Sequence, residues 1–149
     1  MEKTGSNTGF AIYHNFVIHA TAKEVFDAVS LPEHLNNWWP LQSSGIPAVG
    51  NRYNFNFTDT YNWFGHVSTC EPSTSFFIKM TESDADWSPT TFGFELEEMD
   101  GGVSVKFSHT NWPQCNTEFK QSSYCWAILL NGLKNYVEKG IVIPFEDRE

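Results

Sequence analysis

The chain has 149 residues, a length that fits one domain with a core large enough to need neither disulfides nor metals. Its formal charge is -9, from 9 basic and 18 acidic residues, which argues against nucleic acid and anionic membrane as partners, since both require clustered Lys and Arg. Aromatic residues make up 16% of it, so rings must either fill a thick core or line an apolar pocket.

Residues 1–9 read as a disordered lead, polar and without the apolar stretch of a signal peptide. No apolar run approaches the ~20 residues of a membrane span, and the expected location is cytoplasmic. The three cysteines, Cys70, Cys115 and Cys125, are odd in number and form no CxxC. They read as reduced thiols rather than a disulfide framework or a zinc site, with a Cys115–Cys125 pairing as the alternative.

From Phe10 to Ala20 apolar residues alternate with others, which predicts a strand with His14 and Phe16 on its apolar face. Thr21 and Glu24 have the spacing of a capping box and open a short helix carrying Val25, Phe26 and Val29. Leu31-Pro32 ends it and opens a second helix holding Leu35, Trp38 and Trp39, which Pro40 stops. A loop rich in Ser, Gly and Pro follows to Gly50.

Tyr53, Phe55 and Phe57 then alternate with Asn54 and Asn56 in a strand. Trp63 to Glu71 and Ser75 to Thr81 make two more, separated by Pro72-Ser73. A polar loop covers 82–89. Phe92, Phe94 and Leu96 form one strand, Val103 to His109 the next, and Asp100-Gly101-Gly102 between them is a hairpin signal. Asn111-Trp112-Pro113 breaks the pattern.

A helix is predicted from about Thr117 to Lys139, closed by Gly140. Trp126, Leu129, Leu130, Leu133, Tyr136 and Val137 draw one stripe along it. At 1.5 Å per residue it spans roughly 33 Å, enough to cross a sheet. The expected class is therefore α+β: about six antiparallel strands in a curved sheet gripping a long last helix, with two short helices after the first strand.

These motifs resemble a known family. The segments that carry the resemblance are Ala20 to Phe26, Leu31 to Pro40 with its Pro-Glu-His-Leu and double Trp, and Gly50 before Tyr53 and Phe55. Gly65-His66-Val67 before Glu71-Pro72, Phe94 to Glu98, Phe107 to Thr110, and Trp126 to Gly140 complete it. The family is the bacterial group similar to the C-terminal domain of the activator of heat-shock protein 90 ATPase. It lies in the START-related, birch-pollen-allergen-like superfamily. The resemblance covers nearly the whole chain from about residue 10 and implies one helix-grip domain over 10–149. It further implies a ligand cavity between sheet and last helix. One departure stands out: Tyr124-Cys125 occupies a place where the family often has a small residue before the Trp, and extra bulk there would shrink the cavity.

The candidate cavity residues are His14, Phe16, Trp38, Trp39, Tyr53, Phe55, Trp63, Phe92, Phe94, Phe107, His109, Trp126 and Leu130. Each has a plain structural alternative. Trp38, Trp39 and Trp126 can be core plugs, because a Trp buries roughly 200 Å² whatever its function. A histidine facing a core is more often a satisfied structural residue. His14, Tyr53 and His109 are the polar groups that would orient a ligand.

No HExxH, GxSxG, GxGxxG or Walker loop occurs, so neither a cofactor nor a metal is expected. The expected function is binding of a small hydrophobic or aromatic molecule, more a carrier than an enzyme. The alternatives are a cyclase- or hydrolase-type enzyme with His14 or His109 as general base, and a chaperone-interacting module. A homodimer through an open strand edge is also expected as an option.

Overall fold

The computed structural model describes residues 9–148. The expected disordered lead falls outside the described residues except for Gly9. The elements in order are β1 (Phe10–Ile18), α1 (Ala22–Ser30), α2 (Pro32–Leu35), β2 (Gln42–Ser44), β3 (Arg52–Asn56), β4 (Asn62–Glu71), β5 (Ser75–Glu82), β6 (Thr91–Met99), β7 (Gly102–Trp112) and α3 (Thr117–Lys139). A 3-10 turn, Phe145–Asp147, follows. The strands form one sheet in the order β1-β7-β6-β5-β4-β3-β2, with every neighbouring pair antiparallel. β1 and β2 lie at opposite edges, so α1 and α2 carry the chain across one face between them.

The sheet has seven strands where the sequence reading expects about six. The extra one, β2, lies in the expected loop. Its residues Gln42, Ser43 and Ser44 are polar and pair only with β3, and such a short edge strand needs no apolar face to bury.

Local chemistry sets the helix ends. Thr21 Oγ1 accepts from the Glu24 N–H at 3.1 Å, and Glu24 Oε1 accepts from the Thr21 N–H at 3.0 Å, closing the capping box of α1. The Thr21 backbone N–H, with its hydroxyl, holds the Glu24 carboxyl below its usual range. Asn116 caps α3 by accepting from the Phe119 N–H at 3.0 Å. Gly140 ends α3 at φ 71, a left-handed conformation that costs glycine little. Between β6 and β7, Gly101 does the same at φ 81, which lets Met99 pair with Gly102.

The core lies between one sheet face and the helices. α1 contributes Val25, Phe26 and Val29, and α3 contributes Trp126, Leu129, Leu130 and Leu133, all buried. The phenol of Tyr53 donates to the Ser30 carbonyl at 2.6 Å and pins the end of α1 to β3. Burial pushes its pKa up, first through desolvation and then through Cys70 and Glu33. Trp126 is the hub, with ring centroids 4.5 Å from Phe107, 4.9 Å from Trp39 and 5.6 Å from Phe92.

One feature of the core escapes period-two reading. Val103, Val105, Phe107 and His109 point inward, but Asn111 is exposed and Trp112 is fully buried. β1 pairs Ile12 with His109 and Phe10 with Trp112, so β7 holds one residue more than β1 across this stretch. Asn111 sits there at φ 67, a region Asn tolerates better than most residues. The bulge flips the alternation and turns Trp112 into the core. No helix of the described residues is long and apolar enough to cross a membrane.

Candidate functional site

α3 changes character along its length, and that change opens a cleft. Its second half presents buried Leu129, Leu130 and Leu133, which fill the space against the sheet. Its first half presents Glu118, Gln121, Ser122 and Cys125, polar or small residues at helical spacing. These leave room. Opposite them stand Phe57, Thr58, Tyr61 and Trp63 of the β3–β4 hairpin, and Asp84 and Trp87 of the β5–β6 loop. Phe145, Glu146 and Arg148 close one end. The cleft holds about 500 Å³ and is open to solvent on one side.

Four neighbouring indoles line the cleft, Trp63 and Trp87 part-exposed and Trp39 and Trp126 buried behind them. Trp63 lies 4.8 Å from Trp87, Trp87 stacks 6.0 Å from Trp126, and Trp126 lies 4.9 Å from Trp39, centroid to centroid. Trp87 also reaches across to α3, its Nε1 donating to Ser122 Oγ at 3.4 Å. The acids on the cleft, Asp84, Glu118 and Glu146, are exposed. Its cation, Arg148, is buried. Arg148 Nε donates to the Ile143 carbonyl at 2.8 Å, and Nη1 donates to the carbonyls of Pro40 at 3.0 Å and Trp39 at 3.4 Å. Desolvation lowers its pKa, and the charge of Glu146 works in the opposite sense.

Behind the indoles lies a fixed hydrogen-bond chain. Trp126 Nε1, which can only donate, gives its hydrogen to His109 Nδ1 at 3.0 Å. The Thr90 hydroxyl donates to the Trp87 carbonyl, so it must accept from His109 Nε2 at 2.8 Å. The imidazole is thus the neutral Nε2–H tautomer with both nitrogens engaged. Burial holds it neutral, pushing its pKa down from 6.5 to about 3. His14 is elsewhere: its Nε2 lies 3.3 Å from the Ser123 carbonyl on α3, and its ring stacks on Phe107.

The sequence over residues 19–138 matches the family described as Activator of Hsp90 ATPase homolog 1-like protein. The chain belongs to that family. Among solved structures similar to it is the Aha1 dimer from Colwellia psychrerythraea, with a TM-score of 0.80 and 25% identity, covering 88% of this chain and 98% of that one. The protein SSP2350 from Staphylococcus saprophyticus gives 0.76 at 18% identity, covering 91% and 96%. CalU16 from Micromonospora echinospora gives 0.70 at 18% identity, covering 89% and 67%. The last two show the shared fold. No curated protein matches the chain in sequence. The family's helix-grip architecture agrees with the observed seven-stranded sheet and long last helix.

Of the thirteen residues singled out from the sequence, Trp39, Trp63 and Trp126 line the cleft of this Aha1-like domain. Tyr53, Phe55, Phe92, Phe94, Phe107, His109 and Leu130 are buried and do not line it. Trp38 is buried, with its Nε1 donating to the Ala28 carbonyl at 2.9 Å, and borders a much smaller neighbouring hollow of about 40 Å³. His14 and Phe16 are half-buried on β1, at the far edge of the sheet from the β3–β4 hairpin. The expected narrowing by Tyr124 does not occur, because Tyr124 is 70% exposed on the outer side of α3, and only Cys125 reaches the cleft wall.

Sequence reasoning missed Trp87, Phe57, Tyr61 and Arg148 as cleft residues. Trp87 stands in a polar loop, and a solitary indole among Ser, Asp and Pro was the available signal. Nothing local marks Arg148, whose position depends on the chain folding back after Gly140.

Proposed function

We propose that this domain binds a small hydrophobic or aromatic molecule in the cleft beside α3. The observation that carries the reading is the run of four neighbouring indoles bordering about 500 Å³ of open space. That volume lies within the range of roughly 300–1,000 Å³ usual for ligand sites. Trp63 and Trp87 offer flat apolar surface backed by the buried Trp39 and Trp126, and Ser122, Gln121, Thr58 and Arg148 offer the few polar groups that would orient a guest. The bonding of His109 opposes that residue as the base of the enzymatic alternative, since a general base needs a free nitrogen within reach of substrate and both of its nitrogens are engaged behind the indoles; His14, the other candidate, does not line the cleft.

The test is a thermal-shift and Trp-fluorescence screen against neutral aromatic and aliphatic compounds, with Trp63→Ala and Trp87→Ala alongside. A true ligand raises the melting temperature of the unaltered protein and loses at least about tenfold in affinity in either variant. A screen without any shift, or binding that survives both substitutions, refutes the reading. Self-association belongs to the same proposal: one similar solved structure is a dimer, and β1 and β2 leave both sheet edges open among the described residues. Sedimentation velocity reads it directly, and a monomer at every concentration up to about millimolar counts against it.

A further inference from the structure

We propose that the cleft takes an acidic aromatic molecule, its carboxylate meeting the Arg148 guanidinium while its rings lie on the indoles. This rests on the binding reading above and names its ligand class.

Arg148 is 8% exposed, and its three acceptors are all neutral backbone carbonyls. Among the described residues no carboxylate lies within ion-pair distance of it. Buried charges are ordinarily paired, since a lone one carries a large desolvation cost. The bonds to Ile143, Trp39 and Pro40 use Nε and Nη1, so Nη2 and its two hydrogens have no acceptor among the described residues. Among the described residues the one sealed side-chain polar atom without a partner is Trp112 Nε1, and Nη2 is not another. A planar fork with free donors at the end of an apolar cleft matches a carboxylate better than a neutral carbonyl.

The net charge of -9 and the rim acids Asp84, Glu118 and Glu146 oppose an anion. Magnitudes decide between them. The rim acids are exposed, so water and salt screen them over roughly 10 Å, whereas a desolvated guanidinium acts at close range in a medium of much lower effective dielectric. The rim therefore slows the approach of an anion more than it weakens a bound one.

The experiment compares three probes of nearly one shape: naphthylacetate, naphthylacetamide and naphthylethylamine. Binding is followed by Trp fluorescence in the unaltered protein and in Arg148→Met. The unaltered protein should bind the acid about tenfold or more tightly than the amide. R148M should bind acid and amide alike, its acid affinity falling about tenfold or more to that of the amide. Equal acid and amide affinities, a tighter amine, or an acid preference that survives in R148M overturns the proposal while leaving the binding reading intact. If none of the three binds, the proposal falls, and the binding reading is decided by the wider screen. Should R148M fail to fold by circular dichroism, Glu146→Gln replaces it. Removing this rim acid should speed naphthylacetate association several-fold at low salt and leave the naphthylacetamide rate unchanged, and an unmoved association rate overturns the proposal.

Discussion

Replacing His109 by Asn separates the contribution of one buried imidazole from that of every other titrating group. In the folded protein His109 is neutral, with burial pushing its pKa from 6.5 to about 3. In the unfolded chain it titrates near the ordinary 6.5. Below that value the unfolded state binds a proton that the folded state refuses, so stability falls as pH falls. Stability is undiminished by this residue above 6.5 and is lost progressively down to the folded pKa of about 3. The whole displacement has a ceiling of about 5 kcal/mol, and the part expressed between about pH 7.5 and about pH 5 is about 2 kcal/mol.

Asn can accept from Trp126 and donate toward Thr90, yet it does not titrate. Urea unfolding of both proteins at the two pH values gives the comparison. The other four histidines and all carboxylates are common to the pair, so their pH dependence cancels in the difference. The unaltered protein should lose about 2 kcal/mol more than His109→Asn on acidification, whatever the variant costs at neutral pH. Equal losses, within about 0.5 kcal/mol, would mean that His109 is solvated or charged and that the chain from Trp126 to Thr90 does not exist.

Trp126→Phe should destabilise by about 2–4 kcal/mol in chemical denaturation, because it leaves a small void among Phe107, Trp39 and Phe92 and strands the His109 acceptor. Tyr53→Phe removes only the hydroxyl that donates to Ser30 and should cost about 1–2 kcal/mol by the same assay. Asn116→Ala takes the cap from α3 and should cost about 1 kcal/mol, with Asn116→Ser recovering most of it.

The fold was legible in the sequence wherever a local rule acts alone. The capping box at Thr21, the Asp100-Gly101 hairpin and the span from Thr117 to Lys139 stand where their side chains and turn chemistry put them. Trp112 was not legible, because a bulge at Asn111 breaks the alternation and depends on the neighbouring strand. The short strand β2 was hidden for a related reason, since its partner rather than its own pattern makes it a strand. For the site, an aromatic-rich face foretold that rings would gather but not which would border space. Phe92, Phe94 and Phe107 are buried away from the cleft, whereas Trp39 and Trp126, equally buried, back its wall and Trp63 is part-exposed on it. The difference is set by the small and polar residues on the first half of α3, which a stripe read from Trp126 onward passes over.

The six tryptophans make the central claim directly measurable. In a spectrum of the protein labelled with nitrogen-15 at the indoles, naphthylacetamide should shift the Nε1 signals of Trp39, Trp63, Trp87 and Trp126, the four that border the cleft. Trp112, sealed in the core, and Trp38, bonded to Ala28, should stay in place. Signals unmoved at saturating probe, or shifts led by Trp38 and Trp112, would contradict a guest held on that run of indoles.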